Sequence, residues 1–118
     1  MVLVDTSVWE KHLRHGDVFL EDLLENGHVV CHPFIVVELA CGNLKNRAEI
    51  LTLLQALPKA VVAEHGEVMR FIEDNRLMGK GLGFIDLHLL ASAVLSGIQL
   101  WTNDKRLHQV SLKVRVAY

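Results

Sequence analysis

The run Val2-Leu3-Val4 is β-branched, apolar and short, and it ends on Asp5 with a helix-starting pattern only two residues further on. Ser7-Val8-Trp9-Glu10 carries the S-x-x-E spacing of a capping box, so the chain passes from strand to helix almost without a loop. The same alternation then recurs. Phe19-Leu20 and Leu23-Leu24, followed by Gly27, predict a helix with a C-terminal stop, and His28-Val29-Val30-Cys31 predicts a buried strand. Pro33 opens a helix through Phe34 to Cys41 that Gly42-Asn43 ends. A helix over Ala48 to Leu57 is stopped by Pro58, Ala60 to Ala63 is a third strand, and Glu64 to Met78 is an amphipathic helix. Gly79, Gly81 and Gly83 form a loop carrying Lys80. Leu87 to Leu95 is a helix apolar nearly all round and is ended by Gly97. Gln99 to Thr102 is a fourth strand, Lys105 to Val110 a short helix, and Val114-Arg115-Val116 a terminal edge strand. Strands alternating with helices predict an α/β fold, a mainly parallel sheet with helices on both faces.

With 118 residues, of which 51% are hydrophobic, one domain over residues 1–118 is expected, with a core that needs neither disulfide nor zinc. Intrinsic disorder is excluded. Twelve basic against 14 acidic residues give a net charge of −2, which argues against holding nucleic acid by bulk positive charge. Charge is uneven, however. Beyond Asn75 the only acids are Asp86 and Asp104, so the C-terminal third is locally basic. Cys31 and Cys41 lie in apolar stretches without a CxxC pattern, which fits a reducing cytosol. The opening lacks a basic region before an apolar core, and Leu89 to Trp101 is interrupted by Ser92, Ser96, Gly97 and Gln99. No signal peptide and no membrane span are expected; the chain reads as soluble and cytoplasmic.

In an open parallel sheet, ligands sit beyond the carboxyl ends of the strands, where strand order reverses. Asp5 and Asp104 stand at such ends, Asp86 stands where the glycine loop enters a helix, and Glu38 interrupts an apolar helix after the second strand. Asp5, Asp86 and Asp104 each have a simpler reading as helix caps worth about 1 kcal/mol. That reading is weaker for Asp5, because Ser7 and Glu10 already supply a capping box, and for Glu38, where a charge among apolar residues is costly without a partner. Clustered carboxylates raise one another's pKa, and a divalent cation relieves the conflict. Oxygen-only ligands suit Mg²⁺ or Mn²⁺, and the usual work of such a site is phosphodiester chemistry. With these four acids taken as ligands the remaining charge is +2, and Arg76, Lys80, Lys105 and Arg106 lie near them in sequence as candidate contacts to a polyanion.

Other constellations are weaker. The seven histidines form no metal motif, with His12 and His15 on one polar helix face and His28 and His32 straddling a strand. The glycine loop lacks the GxxxxGK[ST] spacing of a phosphate loop. Trp9, Phe34 and Phe84 read first as core or interface anchors, with base stacking as the lesser alternative.

Asp5-Thr6-Ser7 after strand one, Glu38, the segment Gly83 to Ala93 around Asp86, and Thr102-Asn103-Asp104 after the fourth strand together resemble the PIN-domain ribonucleases, specifically the small VapC-type toxins of prokaryotic toxin–antitoxin pairs. The resemblance covers essentially the whole chain. It implies a five-stranded parallel sheet in a three-layer PIN-like domain and Mg²⁺- or Mn²⁺-dependent cleavage of RNA. The acidic quartet carries over onto Asp5, Glu38, Asp86 and Asp104 as catalytic metal ligands, with Glu49 as a fallback for Glu38. Thr6, Ser7, Thr102 and Asn103 match positions that hold ligands or waters in place. No residue of the motif is an evident general acid, which leaves protonation of the leaving group to a metal-bound water. The resemblance also implies a homodimer and a small VapB-type antitoxin.

Two other readings are weighed. A dehalogenase-type phosphatase needs a second Asp two positions after the first, where this chain has Ser7, and a receiver domain needs an acidic pair and a lysine that are not in place. A catalytically silent RNA- or protein-binding module would gain nothing from a repulsive acidic cluster.

Overall fold

The computed structural model describes residues 1–118. β1 (Val2–Val4) lies between β2 (Val29–Val30) and β3 (Gln99–Trp101), and both pairings are parallel. Registers Leu3↔Val30 and Leu3↔Leu100 bury the middle of the sheet completely on the β1 and β3 strands. On each flank one further segment adds a single parallel bridge, Cys31↔Lys59 outside β2 and Leu100↔Ala117 outside β3. The expected five strands are therefore three strands with a bridge at either edge.

The shortfall has local causes. Beyond Ala60 the amides turn away from the ladder toward a helix: Val61 donates to Ser96 Oγ at 2.9 Å and Ala63 to Ser92 Oγ at 3.4 Å. At the other edge the last helix, α7 (Lys105–Lys113), runs three residues longer than expected. Val114 and Arg115 close it, Arg115 with a left-handed φ of 62°, so pairing starts only at Ala117.

The other helices are α1 (Thr6–His15), α2 (Val18–Glu25), α3 (Pro33–Ala40), α4 (Arg47–Ala56), α5 (His65–Asn75) and α6 (Phe84–Ser96). None is long and apolar enough to cross a membrane. The chain steps outward from β1 through β2 to Lys59, then returns across the sheet to β3 and Ala117. Right-handed crossovers accordingly place α1 to α4 on one face and α5 to α7 on the other. The packing agrees, with α1 on α3, α3 on α4 and α5 on α6. Between the layers sits a core of 21 buried residues that includes Leu3, Val4, Leu20, Ile35, Leu89, Leu90 and Leu107.

Two details differ from the sequence expectation. α1 begins at Thr6, which puts Ser7 inside its first turn rather than at its cap, and no Ser7–Glu10 capping box forms. α5 stops at Asn75, where Arg76 takes a left-handed φ of 51°. Of the histidines, His12 accepts the Asp17 amide through Nδ1 at 3.1 Å and so serves the turn between α1 and α2.

His32 is fully buried between the layers. Its Nδ1 accepts the Phe34 amide at 3.0 Å and caps α3, so the ring proton sits on Nε2 and points to Ser92 Oγ at 3.1 Å on α6. Burial, with a smaller contribution from His88, pushes its pKa down to about 4. Protonation of Nδ1 would also destroy the cap. An unfolded histidine titrates near 6.5, so as the pH falls the unfolded chain takes up this proton first. Stability from His32 is thus complete above about pH 6.5 and lost between there and about 4, by about 1 to 3 kcal/mol. Denaturant unfolding at pH 7 and 4.5 should show that loss in excess of the loss in His32→Asn, whose side-chain oxygen can still cap α3; parallel pH profiles would contradict it.

Candidate active site

β1 is the strand at which the order reverses, and Asp5 is the first residue beyond its carboxyl end. The Asp5 amide continues the ladder by donating to Trp101 O at 2.9 Å, which fixes the backbone against β3. Although Asp5 occupies the cap position of α1, its side chain caps nothing. Instead Oδ2 accepts two hydroxyl protons, from Ser7 at 2.8 Å and from Thr102 at 2.7 Å. The hydroxyl oxygens are in turn held by backbone amides: Asn103 N–H donates to Ser7 Oγ at 3.0 Å and Asp104 N–H to Thr102 Oγ1 at 3.1 Å. Every donor and acceptor in this relay is spent in one direction, toward one carboxylate oxygen. Oδ1 receives no protein donor. A carboxylate that is 7% exposed, tethered on one oxygen and bare on the other, is built to accept something on its free side.

Glu38 reaches the same edge from α3. Thr6 Oγ1 donates to its Oε1 at 2.8 Å, linking the first turn of α1 to α3. Burial holds the Glu38 carboxyl above the usual carboxylate range, against the Thr6 hydrogen bond, and the charges of Asp5, Asp86 and Glu10 raise it further. Asp86 lies in the first turn of α6. Its Oδ2 accepts the Gly83 amide at 3.1 Å. Burial raises its pKa too, opposed by that amide and reinforced by the charges of Asp5 and Asp104. Asp104 caps α7 through Oδ1, which accepts the Leu107 amide at 2.9 Å. The capping reading thus holds for Asp86 and Asp104, yet each spends one oxygen on it and keeps the other.

Glu38 feels the charges of Asp5 and Asp86, and Asp86 those of Asp5 and Asp104, which links the four acids expected from the sequence; Glu49, exposed in the first turn of α4, is not among them. Their repulsion is the observation that tests the fit of a cation. The donor set is oxygen only, and it is the mutual charge that a hard divalent ion would offset. No three of the acids close round a common point in this structure. An ion held by Asp5, Glu38, Asp86 and Asp104 would accordingly need waters to complete its coordination, in the manner usual for Mg²⁺ and Mn²⁺.

The basic residues are less uniformly placed. Lys105 lines a cavity with Thr102 and Asp104, and the Arg106 guanidinium lies across the glycine loop, where a Cβ on Gly81 would stand 2.8 Å from Nη1. The Arg106 side chain could shift to make room, so it is the left-handed φ of 76° at Gly81 that calls for glycine. Lys80 is exposed on that loop, and Arg76 ends α5 without a contact that ties it to the acids. Sequence reasoning missed Glu10 as a further charge facing Glu38. It also missed how Phe34, Phe84 and His88 gather beside Asp86, with Phe84 stacked on Phe34 at 5.7 Å and itself 65% exposed. Trp9, by contrast, is buried in the core.

Comparison with known proteins agrees with this geometry. Residues 2–113 match the PIN domain. Ribonuclease VapC32 of Mycobacterium tuberculosis, in strain H37Rv and in strain CDC 1551 / Oshkosh, is 46% identical over 118 residues, an overlap covering 99% of this chain and 95% of the relative. A family match over nearly the whole chain, on a parallel sheet that gathers its acids at the reversal point, makes this protein a member of the PIN-domain family.

Proposed function

We propose that the chain, a single domain over residues 1–118, is a Mg²⁺- or Mn²⁺-dependent endoribonuclease that acts in the cytoplasm as the toxin of a toxin–antitoxin pair. The observation that carries this reading is the tethered Asp5 in one acidic group with Glu38, Asp86 and Asp104, where burial first and the charges of neighbouring acids second raise the pKa of Glu38 and of Asp86. Such repulsion has no structural benefit, and it is useful where a cation is to be bound. The name of the 46% identical relative, a ribonuclease, supports RNA as the polymer cut.

In this reading Asp5, Glu38, Asp86 and Asp104 hold the ion. When bound, it supplies charge stabilisation and water activation for an in-line attack at a phosphodiester. The chain's own residues set the stage. Ser7 and Thr102 fix Asp5 through the amides of Asn103 and Asp104, and Thr6 fixes Glu38, so that the carboxylates do not have to be ordered when substrate arrives. Lys105 and Arg106, in the first turn of α7, and Lys80, on the glycine loop, offer cations to the backbone of the RNA. Arg76 belongs to a more distant part of the same basic surface.

We assign the partners by the same reasoning: a VapB-type antitoxin and a second copy of the chain. Exposed apolar side chains at Val18 and Phe19 on α2, Val37 on α3 and Leu53 on α4 support surfaces that partners cover.

Cleavage of a mixed RNA pool by the purified chain tests the central reading. Cutting should require Mg²⁺ or Mn²⁺, stop with chelator, and fall to background in Asp5→Asn and Asp86→Asn while circular dichroism stays unchanged. Full activity in both variants would refute an acidic metal centre. Separately, Lys80→Ala should weaken RNA binding and lower the slope of log affinity against log salt by about 1, with metal affinity unaltered. An unaltered slope would remove Lys80 from the RNA contact.

A further inference from the structure

Beside the acids, on the β3 edge of the sheet, lies a cavity of about 490 Å³ that shares Thr102 and Asp104 with the site just described. Its size is within the roughly 300–1,000 Å³ typical of clefts for small ligands. We propose that this cavity receives one nucleobase of the RNA next to the bond being cut and selects it, an assignment that rests on the ribonuclease reading.

The lining has the two elements that base recognition needs. Trp101 and Tyr118 supply aromatic faces, their ring centroids 5.3 Å apart and their planes at 40°. The tilt leaves the rings splayed rather than stacked on one another, and Tyr118 is 47% exposed. The Tyr118 backbone is nonetheless fixed, its amide donating to Leu100 O at 3.1 Å, so the ring sits on an anchored edge. The same lining includes side chains that can read a base edge. Asn103 and Gln109 carry an amide each, with donor and acceptor side by side, and His108 adds a ring nitrogen. Asn103 and His108 satisfy their fold contacts through backbone groups alone, to Ser7 Oγ and Asp104 O, which leaves their side chains unspent.

Position decides the occupant. Thr102 and Asp104 belong to both sites, so a strand whose phosphate meets the acids has this cavity within reach of its neighbouring nucleotide. Lys105 stands at the rim to meet the flanking phosphate. Stacking faces, amide edges and a cation in one cavity suit a single-stranded nucleotide, because a splayed base can offer both its face and its pairing edge.

The test uses the full chain in chelator with four single-stranded RNA homotetramers, of A, C, G and U. Trp9 is buried, so quenching of tryptophan emission reports Trp101. At least one tetramer should quench saturably and the four should differ in affinity. Trp101→Leu, which removes the reporter and is therefore followed by anisotropy of a dye-labelled tetramer, should weaken binding, and Tyr118→Leu and Gln109→Ala should each weaken it roughly ten-fold or more. Gln109 is exposed on α7, so its variant folds, and it should also change the order of preference among the tetramers. In cleavage assays these effects should appear in KM rather than kcat. Metal-dependent cutting that stays indifferent to Tyr118→Leu and Gln109→Ala, in KM and in preferred bases, would overturn this assignment while leaving the nuclease intact. Trp101-dependent binding without any Asp5-dependent cutting would support the cavity and overturn the nuclease reading.

Discussion

Two hydroxyl protons, from Ser7 and Thr102, meet on one oxygen of Asp5, and the rest of the site is arranged around that meeting. The two residues are far apart in sequence and come together because β1 and β3 pair in parallel with their carboxyl ends level. Each hydroxyl is oriented by a backbone amide of the turn after β3, so the relay binds the first helix, the third strand and the start of α7 into one rigid corner. A hydrogen bond to a carboxylate contributes about 1.5 to 3 kcal/mol when well placed, so two of them offset much of the cost of keeping Asp5 away from water. The bare Oδ1 is what remains for chemistry.

Around this corner the fold concentrates like charge. Asp5 and Asp104 arrive from the ends of adjacent strands, Glu38 from α3 on one face of the sheet, and Asp86 from α6 on the other. Helix amides take one oxygen each from Asp86 and Asp104, and the Thr6 hydroxyl takes one from Glu38, which moderates the repulsion without removing it. Burial first, and the neighbouring acids second, keep the pKa values of Glu38 and Asp86 raised. A core of 21 buried residues can support such a local cost, since it is spread over three layers and does not depend on the acidic edge.

Much of this was legible in the sequence because the relevant signals are local. Strand-to-helix passages at Asp5 and Asp104, the Pro33 start and the Gly83 entry into α6 follow from turn and capping chemistry within a few residues. What escaped depends on long-range pairing. The S-x-x-E spacing at Ser7 promised a capping box, but the helix starts at Thr6 and the Ser7 hydroxyl goes to Asp5 and the Asn103 amide, the latter brought close only by the parallel pairing of β1 with β3. The two edge strands shrank to bridges because Ser92 and Ser96 on α6 take amides from one, and the last turn of α7 absorbs the other. The Trp101 and Tyr118 cavity joins residues from β3, α7 and the final segment, and no spacing rule links them.

The cation site proposed at the acidic corner is tested without any substrate by heat unfolding in a Mn²⁺ titration. Ligand that binds only the folded chain raises the melting temperature with concentration. The wild-type chain should rise steadily, while Asp86→Asn, relieved of one repelling charge, should melt higher than wild type without metal and gain little from it. An equal rise in both proteins, with no advantage of Asp86→Asn in the metal-free state, would contradict the account.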